Sequence, residues 1–159
     1  MDDNFCDKTT SEKAETPQEL ILKLRKGERI MLTTQAYIEK NIQQNAVEAR
    51  AKVKANVHDA LAALERKLIL EKRLKRCDGI IQTLEFERQL LENAKTDAEV
   101  LQAMDTAVKA LKLVNIDPDP NDLEILVRTP ADDDVSVSNM EEYTVNQEEL
   151  LSELRELQK

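Results

Sequence analysis

The chain has 159 residues, of which 35% are charged, 3% are aromatic and two are glycine. So few aromatic side chains argue against an ordinary compact core, and so few glycines argue against the phosphate-cradling turns of a nucleotide hydrolase. The composition is instead typical of long helices. The net charge is −9, divided unevenly: residues 17–80 carry 14 basic and 8 acidic side chains, and residues 81–159 carry 7 and 19. The basic half suits a polyanion such as an acidic lipid surface.

The first predicted helix begins after an acidic segment, residues 1–15, that we interpret as disordered. Thr16–Glu19 contains a capping threonine, a proline at the first helical position and a glutamate at the third. A helix of roughly 35 residues follows, because apolar residues recur along one face. A turn is predicted near Lys52–Asn56, with Asn56 or Asp59 as the next cap. The apolar positions of the first helix are Leu20, Leu24, Met31, Ile38, Ile42 and Val53, with Gly27 and Thr34 at two missing steps.

The second helical run covers residues 57–114, and its apolar stripe drifts from face to face instead of following one heptad seam. Thr96–Glu99 is an internal capping box, which marks either a break between two helices or a point where they fuse. The prolines of Asn115–Pro120 end the run. A short helix at Asn121–Arg128, an acidic linker at 128–145 and a last amphipathic helix at 146–159 complete the prediction.

Three sequence blocks carry a resemblance to a known family. They are Thr16–Glu19, Asp59–Lys67 and Gln82–Gln89, the last running into Leu90–Ala94. The chain resembles the ESCRT-III family, in the branch called charged multivesicular body protein 4, from about Thr16 to Val127. The resemblance implies an all-α fold, in which a long antiparallel helical hairpin is followed by shorter helices and becomes elongated when it opens. Residues 16–127 would form this core.

The resemblance also implies a function. Family members polymerise with themselves and with other ESCRT-III subunits on acidic endosomal membranes, as peripheral cytoplasmic proteins, during multivesicular body sorting. A AAA ATPase removes them by gripping a C-terminal motif with its MIT domain. This chain differs in its acidic residues 1–15, where the branch has an apolar insertion segment, and it is shorter after Val127. It also ends at Lys159 without the helix that binds the Bro-domain adaptor. Loss of the autoinhibitory helix in the shortened region would favour the open state, and loss of the insertion segment would weaken membrane attachment.

Three sets of residues are candidates for these roles, each beside a structural alternative. A basic run on the second helix would touch acidic lipid, or would be only a solvated face. A leucine-rich set would form the polymer interface, or the core of one subunit. The last helix would bind the MIT domain, or pack on its own hairpin. The basic run is Arg66, Lys67, Lys72, Arg73, Lys75 and Arg76; the polymer set is Leu84, Phe86, Leu90, Leu91, Leu101 and Met104; the MIT set is Leu151, Leu154 and Leu157.

Other functions are disfavoured. We expect no catalytic residue, cofactor, metal or small-molecule substrate, because His58 stands alone and Cys6 and Cys77 are far apart. Nucleic acid is a poor partner without aromatic interleaving. No apolar run of about 18 residues predicts a membrane span. Two alternatives stay open: a coiled-coil scaffold or tether without a membrane role, and a degenerate paralogue that co-assembles with a full-length family member.

Overall fold

The computed structural model describes residues 14–114 and 145–159, and that part of the chain consists of four helices without a strand. The helices are α1 (Pro17–Lys52), α2 (Val57–Asn93), α3 (Asp97–Val114) and α4 (Gln147–Leu157). The predicted all-α hairpin followed by shorter helices is therefore confirmed. The helix predicted at Asn121–Arg128, and nearly all of the segments predicted as disordered N-terminus and acidic linker, lie outside the described residues.

Side-chain caps set the starts of the helices. Thr16 Oγ1 accepts a hydrogen bond from the Glu19 amide at 3.2 Å, and the Thr16 amide donates to Glu19 Oε2 at 3.0 Å, which confirms the capping box. Asn56 Oδ1 accepts from the amides of His58 and Asp59 and starts α2, also as predicted. These bonds satisfy amides that have no partner inside the helix.

The second capping box, Thr96–Glu99, separates α2 from α3, so the two helices are not fused into one. The Thr96 hydroxyl accepts from the Glu99 amide at 3.2 Å, and a Glu99 oxygen accepts from the amides of Lys95 and Thr96 at 2.9 and 3.1 Å. Asn93 is the last residue of α2 and Asp97 the first of α3. The sequence left open whether the two helices are separate or fused, and in this conformation they are separate.

The hairpin of α1 and α2 is antiparallel. Arg25, near the start of α1, forms an ion pair of 3.0 Å with Glu92 at the end of α2, while Glu48 and Arg66 meet at 3.1 Å near the turn. Between these pairs the apolar stripe of α1 packs on α2 and α3 and forms the main core. Its buried members are Leu24, Met31, Ile38, Leu70, Cys77, Ile80, Leu84, Ala107, Ala110 and Val114.

The third helix packs on the hairpin mainly through alanines, and Leu101 of the predicted polymer set is not on this buried face. Ala103, Ala107 and Ala110 are buried, whereas Leu101 is 68% exposed. Near the end of α3 larger side chains reach α1, because a Cβ added at Gly27 would lie 3.3 Å from Val114 Cγ2 and 3.6 Å from Leu111 Cδ2. The glycine leaves room for these two side chains.

Candidate membrane, assembly and partner-binding surfaces

The first two residues of the predicted basic run bind other parts of the protein. Arg66 Nε donates to Asn45 Oδ1 at 2.9 Å and its guanidinium pairs with Glu48 at 3.1 Å, so this side chain connects α2 to α1. Asn45 also donates from its amide nitrogen to the Asn41 carbonyl at 2.8 Å. Because Asn45 is only 7% exposed, the Arg66 bond satisfies a buried amide oxygen. Arg66 is therefore an intramolecular connection as well as a surface cation.

Lys67 binds the terminal helix. Its ammonium lies 3.1 Å from both carboxylate oxygens of Glu153 on α4 and 3.1 Å from Glu71 on its own helix. Burial lowers the pKa of Lys67, but the hydrogen bonds to Glu153 and Glu71 outweigh it and leave the pKa above its ordinary value. Lys67 is thus a firmly protonated anchor for α4 in this conformation.

The other cations of the run have different surroundings. Lys72, Arg73 and Arg76 are partly buried and take part in further noncovalent interactions, while Lys75 is exposed. Residues next to each other on a helix point about 100° apart, so a run that is dense in sequence is spread around the helix. The six cations therefore do not form one open patch in this conformation, and their role at a membrane stays a prediction.

The predicted polymer set divides in two. Leu84 and Leu91 are buried, so in this conformation these two residues belong to the core of the subunit and not to an open interface. Phe86 is 61% exposed, and Leu90 and Leu101 are exposed as well. Phe86 and Leu90 stand four residues apart and so share one face of α2. The exposed members are available to another subunit as the structure stands, whereas Leu84 and Leu91 would require the helices to rearrange.

The terminal helix is seated on the hairpin near its turn. Leu154 is 7% exposed, and Leu150 and Leu157 are partly buried beside it, whereas Leu151 is exposed. Leu150, which is not in the predicted MIT set, lies four residues before Leu154 on the face that packs. The seat for these leucines is lined by small and branched apolar residues from both arms of the hairpin. They are Ala49, Val53, Ala60, Ala63 and Leu64.

The described residues contain no group of three or more histidine, cysteine or acidic side chains placed to hold a metal ion. His58 is exposed in the first turn of α2, and Cys77 is buried, with its thiol 3.3 Å from the Met31 carbonyl oxygen. Among the helices described, none is both long and apolar enough to cross a bilayer.

Comparison with known proteins identifies the family. The family model described as Snf7 matches residues 19–159. The chain is 35% identical over 156 residues to charged multivesicular body protein 4a of Bos taurus, covering 92% of this chain and 70% of that protein. It is 36% identical over 155 residues to protein 4b of Xenopus laevis, with 92% and 70% covered. It is 34% identical over 157 residues to protein 4c of Homo sapiens, with 93% and 67% covered. No solved structure gives a significant match. The chain therefore belongs to the Snf7 family of ESCRT-III proteins, which are structural and not enzymatic.

Proposed function

We propose that this protein is an ESCRT-III subunit that polymerises on acidic membranes and takes part in membrane remodelling and multivesicular body sorting. The observation that carries the proposal is the match to the Snf7 family over residues 19–159. The relatives at about 35% identity are named for the multivesicular body. Co-assembly with other ESCRT-III subunits and a peripheral position on the cytoplasmic face of endosomes belong to the same proposal.

Polymerisation would use the apolar side chains that the single subunit leaves exposed. Phe86 and Leu90 on α2, and Leu101 on α3, present large apolar surface to water, which favours burial against a neighbour. Met104 is partly buried and would contribute at the edge. If α3 leaves the hairpin, the alanine face that now packs on α1 and α2 becomes a second surface of the same kind.

Recognition by the MIT domain would use the face of α4 that now packs on the hairpin. Leu154 is the most buried residue of that helix, and Leu157 lies beside it. One apolar face of an 11-residue helix cannot fill two grooves at once. MIT binding therefore requires α4 to leave the hairpin, and the Lys67–Glu153 pair opposes that release.

The proposal is tested by sedimentation of the purified protein with phosphatidylcholine vesicles that contain or lack phosphatidylserine, followed by negative-stain imaging of the pellets. We expect filaments or spirals that increase with acidic lipid. A Phe86→Asp/Leu101→Asp variant is expected to abolish filaments, whereas Val57→Asp, at another exposed apolar position near the turn, is the matched control. A discrete soluble oligomer that ignores lipid would support the coiled-coil scaffold instead.

A further result would identify a degenerate paralogue that co-assembles with a full-length family member. Filaments that form only after addition of a full-length charged multivesicular body protein 4 would identify a co-assembling paralogue.

A Leu151→Asp/Leu154→Asp variant is expected to lose binding to the MIT domain of the disassembling ATPase, measured by fluorescence anisotropy with the isolated domain. If the affinity of this variant for the MIT domain is unchanged, α4 is not the MIT-binding segment. The proposal that the protein polymerises would then still stand.

A further inference from the structure

A groove lies between α1 and α3, close to the start of α1. It is open to solvent and has a volume of about 410 Å³, within the range of about 300–1,000 Å³ that is typical of ligand-binding clefts. Apolar side chains of both helices line it, and they remain accessible: Ile30 of α1 is 39% exposed and Val108 of α3 is 38% exposed. We call this feature the α1–α3 groove. Burial of a further apolar side chain against these residues would be favourable.

Lysines surround the α1–α3 groove. Lys23 and Lys26 line it from α1, and Lys112 lines it from α3. Within the described part of the chain, Lys26 and Lys112 form no ion pair. Glu15 is the one acidic residue among those that line the groove, and it pairs with Lys23. The groove therefore suits an occupant that carries an apolar side chain with carboxylates beside it.

The beginning of this chain has that chemistry. Residues 1–13 precede the described part of the chain, and their first seven residues contain three aspartates and no lysine or arginine. A phenylalanine, Phe5, stands among Asp2, Asp3 and Asp7. One aromatic ring with three neighbouring carboxylates matches the apolar lining and the lysines of the groove.

The same segment joins the described chain at the groove. Glu15 lines the groove and pairs with Lys23, so the preceding residues start from its edge. Phe5 is ten residues before Glu15, and ten extended residues span roughly 33 Å. From Lys23 to Ile30 the groove follows α1 for only about 10 Å. Because a short tether gives an effective concentration of about 1 mM, even an intrinsically weak contact would be populated.

We propose that residues 1–13 dock in the α1–α3 groove of their own chain. The ring of Phe5 packs on Ile30 and Val108, and the neighbouring aspartates face the lysines of the groove. A segment seated there contacts both helices, so it opposes the separation of α3 from α1. The docking does not rest on the proposed membrane function, and its test uses no lipid.

The test uses Cys6, which is next to Phe5, as a probe of position. Ile30→Cys places a new thiol in the groove, and Leu32→Cys is the matched control. Both positions are exposed and apolar, and they lie two residues apart on α1, so they are similarly far along the helix but point about 200° apart. Each variant is equilibrated at low protein concentration in a glutathione redox buffer. Mass spectrometry then measures the intramolecular disulfide between Cys6 and the new thiol, while the buried Cys77 is the same in both proteins.

The disulfide is expected to form at least about tenfold more favourably with Ile30→Cys than with Leu32→Cys, because burial of a phenylalanine ring shifts such an equilibrium by roughly tenfold or more. Adding Phe5→Ser to both variants should bring the ratio of the two close to one. Equal disulfide formation at the two positions, or a ratio that Phe5→Ser leaves unchanged, would overturn the proposal. So would a disulfide that forms only between two molecules and rises with protein concentration, because the occupant would then be a second copy.

The role of charge is tested in the same assay. Lys26→Glu/Lys112→Glu should lower the ratio a few-fold, because each exposed ion pair contributes no more than a few-fold. The control, Lys95→Glu/Lys109→Glu, makes the same change in net charge at exposed lysines that do not line the groove, and it should leave the ratio unchanged. Circular dichroism checks that helix content is the same in all variants. Equal effects of the two double variants would contradict docking at these lysines and overturn the proposal.

Discussion

Arg66 offers a direct test of how the hairpin is held together. Arg66→Met keeps the aliphatic stem but removes the donor that lies 2.9 Å from Asn45 Oδ1, and the buried amide oxygen is left without its partner. Such a loss costs roughly 1–3 kcal/mol. The ion pair with Glu48 adds at most about 1 kcal/mol, because its side chains are 43% and 36% exposed. We expect the free energy of unfolding to fall by about 2 kcal/mol.

Urea unfolding followed by the helical circular dichroism signal measures this loss, and Lys75→Met, at an exposed position of the same helix, is the control. A double-mutant cycle sharpens the result. In an Asn45→Leu background no buried amide depends on Arg66, so Arg66→Met should then cost no more than the exposed ion pair, below about 1 kcal/mol. If Arg66→Met costs as little as Lys75→Met, or if its cost is the same in both backgrounds, the reasoning is refuted.

Three other changes test the helices. Gly79→Ala should raise the free energy of unfolding by about 0.5–1 kcal/mol, because Gly79 is inside α2 and an added Cβ would meet nothing within 4 Å; a loss of stability in urea would contradict this. Thr96→Ala should cost about 0.5–2 kcal/mol by removing the cap of α3, and thermal unfolding would show it. The amides of Lys95 and Thr96 hold the pKa of Glu99 below its ordinary value of 4.5. A carboxylate with a lowered pKa stabilises the folded state above that value, so its contribution should disappear as the pH falls below about 4.5, and Glu99→Gln should reduce this acid sensitivity in thermal scans.

The bounds of the helices could be predicted from the sequence because caps are local. Thr16, Asn56, Thr96 and Asn146 each bond to amides two or three residues away, and no distant part of the chain is needed to form those bonds. The apolar stripe of α1 was predictable for the same reason, since a single period fits its buried residues. The family resemblance, confirmed by the comparisons, added the antiparallel hairpin.

The candidate surfaces were less predictable, because they depend on which helix covers which face. Phe86 and Leu84 are two residues apart, yet one is exposed and the other buried. On α3 the sequence grouped Leu101 and Met104 as polymer interface or core, whereas the structure buries Ala103, Ala107, Ala110 and Val114 and leaves Leu101 exposed. On α4 the seat on the hairpin selects Leu150 and not Leu151.

The positions of the charged residues also depend partly on the sequence alone and partly on the tertiary structure. The sequence by itself determined that the first half of the chain is basic and that its cations are densest on α2. Only the tertiary structure decided that Arg66 and Lys67 bind within the protein, while Arg29 and Lys40 face outward. The reason is physical: helix caps and periods are set by neighbours in sequence, but the partner of a charge or of an apolar face comes from another helix, whose position follows from the packing of the whole chain.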